Sequence, residues 1–553
     1  MTRLARSLDS LKPHYDAVVV GSGYGGGVAA LRLARAGKHV AVLERGREFA
    51  TGEFPAKFSD MRQEMQVRGK RYGAGPDTAL FDVRVGEDMH VLVGCGLGGG
   101  SLINAGVALR PDDRVFADAA WPGQIAQDGL LEEGFARARA WLRPARFARA
   151  EELTKFRALQ SSSMALGIAP IVPEVVVSFE PTVNAAGIAQ PACTLCGDCC
   201  AGCNVGAKNT VALTYLPAAA RHGAEIFTHT RVRHVSKGKD GDWTVHIERV
   251  GEVSRANRHE LAVTADIIVL AAGTLGSTEI LLRSREKGLA LSDRLGQRFS
   301  ANGDIIAFGY GASLPVNAIG VGHPARIGGM EVGAAVSGQI EIDDADDLSN
   351  EIRIQEGVLP SALAPVLPVM FLPNGRLLGA LQSLVSGVYK GPFAHLQTFF
   401  AVSHDSASGR FSLEDDRLVL AWPGVANEPV YRRLDAALGA IVTHAGGRYV
   451  KNPLAGTVMG HQPATAHPLG GCGTGSDCSV GVVDHRGCVF NGSAGAGSTA
   501  VHHKLYVADG SIVPRSLGVN PLLSITALAE RILIHMGRDL GFSTQDKGLS
   551  PPA

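Results

Sequence analysis

The sequence predicts an α/β protein in which a Rossmann-like lobe is joined to an α+β lobe built on a large mixed or antiparallel sheet. Three observations predict it. The chain opens on an apolar strand, a glycine-rich turn and an amphipathic helix. A second strand, small-residue turn and helix recurs at residues 265–283. Residues 304–453 then change to short alternating segments, the period-two pattern of strands with one buried face. With 553 residues and 45% hydrophobic content, the chain is large enough to bury both lobes.

Residues 17–20 read as a buried parallel strand, because a short apolar run rich in valine suits a strand covered on both faces. Gly21, Gly23 and Gly26 complete G-x-G-x-x-G around Ser22, Tyr24 and Gly25. Residues 28–35 continue as a helix that Gly37 stops, and residues 39–43 form the next strand, ending at Glu44. A dinucleotide needs this arrangement. Gly21 permits the tight turn, Gly23 lets the backbone approach a pyrophosphate, and Gly26 lets helix and strand pack closely. The helix N-terminus faces the phosphates and Glu44 accepts hydrogen bonds from a ribose. In residues 94–104, Gly99, Gly100, Ser101 and Asn104 belong to a run that puts backbone N–H groups against something large and polar. This run reads as a second wall of the cofactor site.

Residues 121–175 are polar and helical in pattern, and residues 224–232 and 243–250 are strand-like. Residues 265–270 form a further buried strand, followed by a helix at 278–283, which fits the far side of the nucleotide fold. In the second lobe, residues 339–343, 351–355 and 417–422 alternate as strands do. The chain then returns to the first lobe. Residues 504–507 are a strand leading into Asp509-Gly510, and residues 521–533 are a helix with Pro521 in its first turn, where proline is tolerated.

The formal net charge is zero and no long basic run occurs, so nucleic acid is not an expected partner. Residues 1–16 lack an apolar h-region, so the expected location is cytoplasmic. No apolar run reaches the roughly 20 residues of a membrane helix. The uncharged stretch 357–373 is broken by Pro360, Pro365, Pro368 and Pro373. It reads equally as an apolar lid with at most peripheral membrane contact and as a buried wall of the second lobe.

Nine cysteines are present, and five crowd into residues 193–203. Cys193, Cys196, Cys199 and Cys203 have the C-x2-C-x2-C-x3-C spacing of a ferredoxin-type run, although Asn204 stands where proline would follow. Three readings stay open: a [4Fe–4S] cluster, a zinc site using four of the five, and thiols or disulfides.

His467-Pro468-Leu469-Gly470-Gly471-Cys472, Asp509-Gly510-Ser511 and Gly518-Val519-Asn520-Pro521 complete the pattern. With the two glycine-rich blocks they make the chain resemble the glucose–methanol–choline (GMC) oxidoreductases, and among them the bacterial cholesterol oxidases. The resemblance implies FAD and a cofactor lobe assembled from residues 14–110, 205–303 and 462–540. Residues 111–204 and 304–461 then form the substrate lobe, with the cysteine-rich insert at 193–203. It implies that His467 is the active-site histidine, Asn520 its carboxamide partner, and Asp509 a ligand of the flavin chain. Val232 falls on the strand that contacts adenine, and Glu356 falls near an acid used in double-bond isomerisation. His404, His461 and His485 have no such context and read as ordinary.

The implied chemistry is oxidation of a CH–OH group to a carbonyl, with hydride passing to FAD. Histidine suits proton removal because its pKa lies near neutrality. The carboxamide of Asn520 orients the oxygen without trapping charge, and the helix beginning near Pro521 aims its positive end at the flavin. Only 6% of the chain is aromatic, which favours an apolar, sterol-like alcohol over a sugar. A cluster near the flavin would make a dehydrogenase that serves an acceptor protein or a quinone. Without one, an oxidase producing hydrogen peroxide is equally open. A lyase that keeps FAD structurally and a redox or metal sensor built on the cysteines are the readings from other classes.

Overall fold

The computed structural model describes residues 3–238, 241–251, 260–371, 387–451 and 462–545. Strand β1 (His14–Val20) is apolar and buried over its second half, as a central parallel strand must be. Helix α1 (Tyr24–Arg35) follows at once, three residues past the strand. Strand β2 (Val40–Leu43) is buried at all four positions. Helix α2 (Leu130–Leu142) and helix α3 (Thr154–Ser163) come next. Strands β3 (Glu225–Phe227), β4 (Thr230–Lys237), β5 (Trp243–Arg249) and β6 (Glu260–Leu270) then extend the same sheet. The predicted strand at 224–232 is thus two strands, separated where His229 takes a left-handed φ of 58°.

β3, β2, β1 and β6 lie side by side and parallel, while β5 and β4 continue the sheet antiparallel. β6 changes partner along one edge. Its first half pairs with β5, and its last three residues pair with a strand from the C-terminal part of the chain. Helix α4 (Gly273–Glu286) repeats the strand–turn–helix pattern of the opening segment.

The second sheet contains β7 (Ile305–Tyr310), β8 (Gln339–Ile342), β9 (Ile352–Gly357) and β10 (Gln397–Ser403). Helix α5 (Pro429–His444) precedes its last strand, β11 (Arg448–Val450). The order is β8-β9-β10-β7-β11 and every pairing is antiparallel. The third alternating segment does not join it. Among the described residues, Arg417–Ala421 pairs only with Arg410–Glu414, as a separate hairpin.

Strand β12 (Val501–Val507) returns the chain to the first sheet, parallel to β6. Helix α6 (Leu522–Leu540) follows, with Pro521 at its N-cap. α6 packs on α1 through a fully buried ion pair. Arg32 Nε and Nη2 donate to the two Glu530 oxygens, both at 2.8 Å. No described helix is long and apolar enough to cross a membrane.

Candidate active site

A cavity of about 1210 Å³ opens at the carboxyl ends of β1, β2 and β6, where doubly wound sheets hold their ligands, and extends to β7 and β10. At its nucleotide end the glycines divide into two kinds. A Cβ on Gly25 would meet the Ala508 carbonyl oxygen at 1.6 Å, and one on Gly26 would meet that of Gly21 at 2.1 Å, so both are required by packing. A Cβ on Gly23 or Gly100 would meet nothing within 4 Å, and both residues line the cavity. The second glycine run lies directly on the first, since a Cβ on Gly99 would be 2.9 Å from the Gly23 Cα.

Glu44 is buried at the end of β2. Its oxygens accept from Ser22 Oγ at 2.6 Å and Gly46 N at 2.7 Å, while burial pushes its carboxyl upward. Each oxygen keeps a further lone pair for a hydroxyl donor. Val232 lines the same end. Asn104 Nδ2 donates to the Tyr24 phenol oxygen at 2.7 Å, leaving its buried Oδ1 without a protein partner. Ser101 does not line the cavity. Its hydroxyl donates to the Gly98 carbonyl at 2.6 Å and accepts from Val211 N at 3.0 Å, which fixes the turn.

Asp509 lines the cavity, but its carboxylate is already engaged. It accepts from Gly273 N, Ser277 Oγ, and the amide and hydroxyl of Ser511, all within 2.9 Å. It therefore ties the N-terminus of α4 to the turn before α6, and its neighbour Gly510 also faces the cavity. Together, the open glycines, the buried acid and the unpartnered Asn104 oxygen fit an adenine dinucleotide laid along this wall. Gly23→Ala tests the fit: the methyl enters the cavity and clashes with no protein atom. The expected result is a weaker FAD dissociation constant by at least about 10-fold, about 1.4 kcal/mol, with the melting temperature of the FAD-free protein almost unchanged. Flavin fluorescence titration and thermal melting read the two separately.

At the other end stand His467, Asn520 and Pro521. His467 Nδ1 is 3.3 Å from the buried carboxylate of Asp304, which also accepts from Ala466 N at 2.7 Å. Asn520 is locked by Gln355. The Gln355 amide donates to Asn520 Oδ1 at 2.6 Å, and Asn520 Nδ2 donates back at 3.3 Å. Gln355 also donates to Gln339 Oε1 at 2.7 Å. Asn302 holds the backbone before this residue, donating to the Val519 carbonyl and accepting from Leu517 N and Gly518 N. Sequence reasoning missed Asp304, Asn302, Gln339 and Gln355. The one available signal is that Gln339 and Gln355 are polar residues within two predicted alternating strands, and they pair in register across β8 and β9.

Glu356 does not join them. Successive side chains on a strand point to opposite faces, and Glu356 instead pairs with the Lys155 ammonium of α3 at 3.0 Å, both buried. It is not among the residues lining the cavity. Residues 358–363 supply Val358, Leu359, Pro360 and Leu363 to the cavity wall; Leu367 and Phe371 continue into the core, and residues 372–373 of the stretch lie outside the described residues. Phe400 and Ile306 complete this apolar end.

His404 is buried against the turn before Asn520: a Cβ on Gly518 would meet its Nε2 at 2.2 Å, and burial pushes the imidazole down to about 4. His461 lies outside the described residues. His485 groups with His535 and Asp128, but Asp128 already holds the Arg531 guanidinium, which stands where a cation would bind. All nine cysteines are unpaired. Cys200 lines the cofactor cavity, whereas Cys193, Cys196, Cys199 and Cys203 do not.

Comparison with known proteins agrees with this geometry. Family models described as GMC oxidoreductase match residues 15–301 and, for the C-terminal part, residues 449–529. A cholesterol oxidase of Mycobacterium tuberculosis is 28% identical, over 94% of this chain and 91% of its own. The long-chain-alcohol oxidase FAO4B of Arabidopsis thaliana is 24% identical, over 93% of this chain and 66% of its own. The crystal structure of a pyridoxine 4-oxidase from Mesorbium loti superposes with a TM-score of 0.60 at 19% identity, covering 95% of this chain and 99% of that one, a likeness of fold. The chain belongs to the GMC oxidoreductase family and is an FAD-dependent alcohol oxidoreductase.

Proposed function

We propose that the substrate is a bulky, apolar, sterol-like alcohol oxidised to its carbonyl between His467 and Asn520. The observation that carries this reading is the shared cavity: His467 and Asn520 line the same space as Val358, Leu359, Pro360, Leu363 and Phe400. FAD, held by the two glycine runs, Glu44 and the Val232 strand, supplies the two-electron acceptor. The remaining work falls to the chain. His467 takes the hydroxyl proton, with the buried Asp304 carboxylate 3.3 Å from its Nδ1 as the group that orients the ring. Asn520 holds the hydroxyl oxygen, and its pairing with Gln355 prevents it from turning away. Apolar walls exclude water from the reacting carbon. Glu356 has no part in this reading, because Lys155 occupies it.

The relatives named cholesterol oxidase and long-chain-alcohol oxidase support an apolar substrate of this class. The acceptor we propose is a quinone or an electron-carrier protein, with molecular oxygen as its competitor. None of the nine cysteines is in a disulfide, which supports a cytoplasmic setting. Following the two sheets, we assign residues 14–110, 205–303 and 462–540 to the cofactor lobe. The test is anaerobic bleaching of the flavin absorbance near 450 nm, roughly the usual flavin band, by cholesterol, a long-chain primary alcohol and glucose in turn. Rapid bleaching by cholesterol is expected. Bleaching by glucose alone would refute the apolar substrate, and bleaching by none of a broad alcohol panel would favour a lyase on this scaffold.

A further inference from the structure

We propose that Cys193, Cys196, Cys199 and Cys203 are the ligands of a [4Fe–4S] cluster, with the Lys208 ammonium as its buried counter-charge. Lys208 is fully buried and donates to three carbonyl oxygens: Leu102 at 2.8 Å, Asn104 at 3.0 Å and Cys199 at 2.8 Å. Three acceptors match the three N–H groups of an ammonium, whereas a neutral amine has two. A buried cation needs a counter-charge. Among the described residues, the ionisable side chains whose charge Lys208 would feel are those of Cys199, Cys203 and Cys200. Bound to a metal centre, the sulfurs of Cys199 and Cys203 would carry the negative charge that the buried ammonium needs.

The loop is shaped for sulfur ligands. A backbone N–H is directed at three of the four sulfurs: Leu195 at Cys193 (3.4 Å), Asp198 at Cys196, and Ala335 at Cys199. The first turn needs Leu195 at a left-handed φ of 56° and Gly197 at 81°, a strained loop that an incoming ligand set would explain. Each of the four thiols lies within electrostatic reach of the other three.

The spacing argues against one ion. Tetrahedral zinc holds its sulfurs about 3.8 Å apart. Among the described residues, the group whose ligand atoms all lie within 4.8 Å of one another is Asp128, His485 and His535, and the thiol run is not such a group. A cubane places each sulfur on a different iron and so spreads them wider. Cys200 is the cysteine left over. It sits beside Cys199 on the short helix Asp198–Ala201, one position around, and faces the cofactor cavity. Lys208 bridges this loop to the carbonyls of the second glycine run, so the cluster lies against the cofactor wall.

The site is separate from the alcohol chemistry, and the test keeps the two apart. Iron and acid-labile sulfide are measured on the full-length FAD-loaded protein, purified anaerobically and again after reconstitution with ferrous iron and sulfide, with no alcohol present. About four of each per chain are expected, with an electron paramagnetic resonance signal after dithionite. Cys196→Ser is expected to lose iron and signal, and Cys200→Ser to keep both. Lys208→Met is expected to lower the cluster's midpoint potential, since it removes adjacent positive charge. Fewer than one iron per chain after reconstitution, one zinc in its place, or cluster loss in Cys200→Ser with retention in Cys203→Ser would overturn the assignment. An unmoved potential in Lys208→Met would overturn the role of Lys208.

Discussion

Replacing His467 with alanine is expected to lower kcat by about 10²–10⁴, the usual contribution of a positioned general base, while flavin content stays at the wild-type level. The reasoning is local. His467 stands at the alcohol end of the cavity, and its Nδ1 faces the Asp304 carboxylate. The glycine turn at Gly21 and the acid Glu44, which we propose hold the dinucleotide, line the other end. Removing the imidazole therefore takes away the proton acceptor without touching the nucleotide wall. Asp304→Asn is expected to lower kcat by less, because Asp304 touches the ring and not the alcohol. Steady-state kinetics with an artificial acceptor, beside the ratio of flavin to protein absorbance, measure both effects. Full turnover by His467→Ala with a good alcohol would remove the residue from the mechanism.

The second large effect is on stability. Glu530→Ala is expected to destabilise the protein by about 3–5 kcal/mol, the cost of leaving one partner of a buried ion pair alone. Arg32 and Glu530 are both 0% exposed and meet through two 2.8 Å hydrogen bonds. The Tyr215 hydroxyl, 3.3 Å from the same carboxylate, loses its acceptor too. Without Glu530, the Arg32 guanidinium loses the carboxylate that accepts its two 2.8 Å hydrogen bonds. The consequence reaches function, because α1 begins on the dinucleotide turn and α6 begins directly after Asn520. Chemical denaturation is expected to show an earlier midpoint, and FAD to dissociate at lower denaturant. A double replacement, Arg32→Met with Glu530→Leu, is expected to recover most of the loss, since apolar isosteres at a buried pair are often neutral or stabilising. A Glu530→Ala midpoint equal to wild type would show that the pair does not hold the two helices together.

Much of the cofactor lobe could be read from local pattern. The strand at 14–20, the turn of glycines and the helix at 24–35 repeat a period and a residue chemistry that physics ties to one conformation. Gly25 and Gly26 illustrate the limit of that reading. The pattern says that Gly26 is a glycine for closeness, and only the fold says that the close atom is the Gly21 carbonyl and that Gly25 is held as tightly against the Ala508 carbonyl. Alternation likewise marked 339–343 and 351–355 as strands, but residues 417–422 carry the same alternation and their strand lies in a hairpin outside that sheet. Period-two patterning reports which faces are buried, not which strand is the neighbour.

The site divides in the same way. His467, Asn520, Asp509 and the glycine runs stand out in their short contexts, and the structure places them along one cavity. Their partners do not stand out in this way, since Asp304, Gln355 and Asn302 are 163, 165 and 217 positions away along the chain from the atoms they hold. Glu356 shows the converse. Its neighbour Gln355 reaches Asn520, and one step along the strand turns Glu356 toward Lys155 instead. Local sequence settles which residues can do a chemistry, because that depends on the side chain and a few neighbours. Which of them meet is settled by strand parity, helix packing and long-range register, and these exist only once the chain has buried its core.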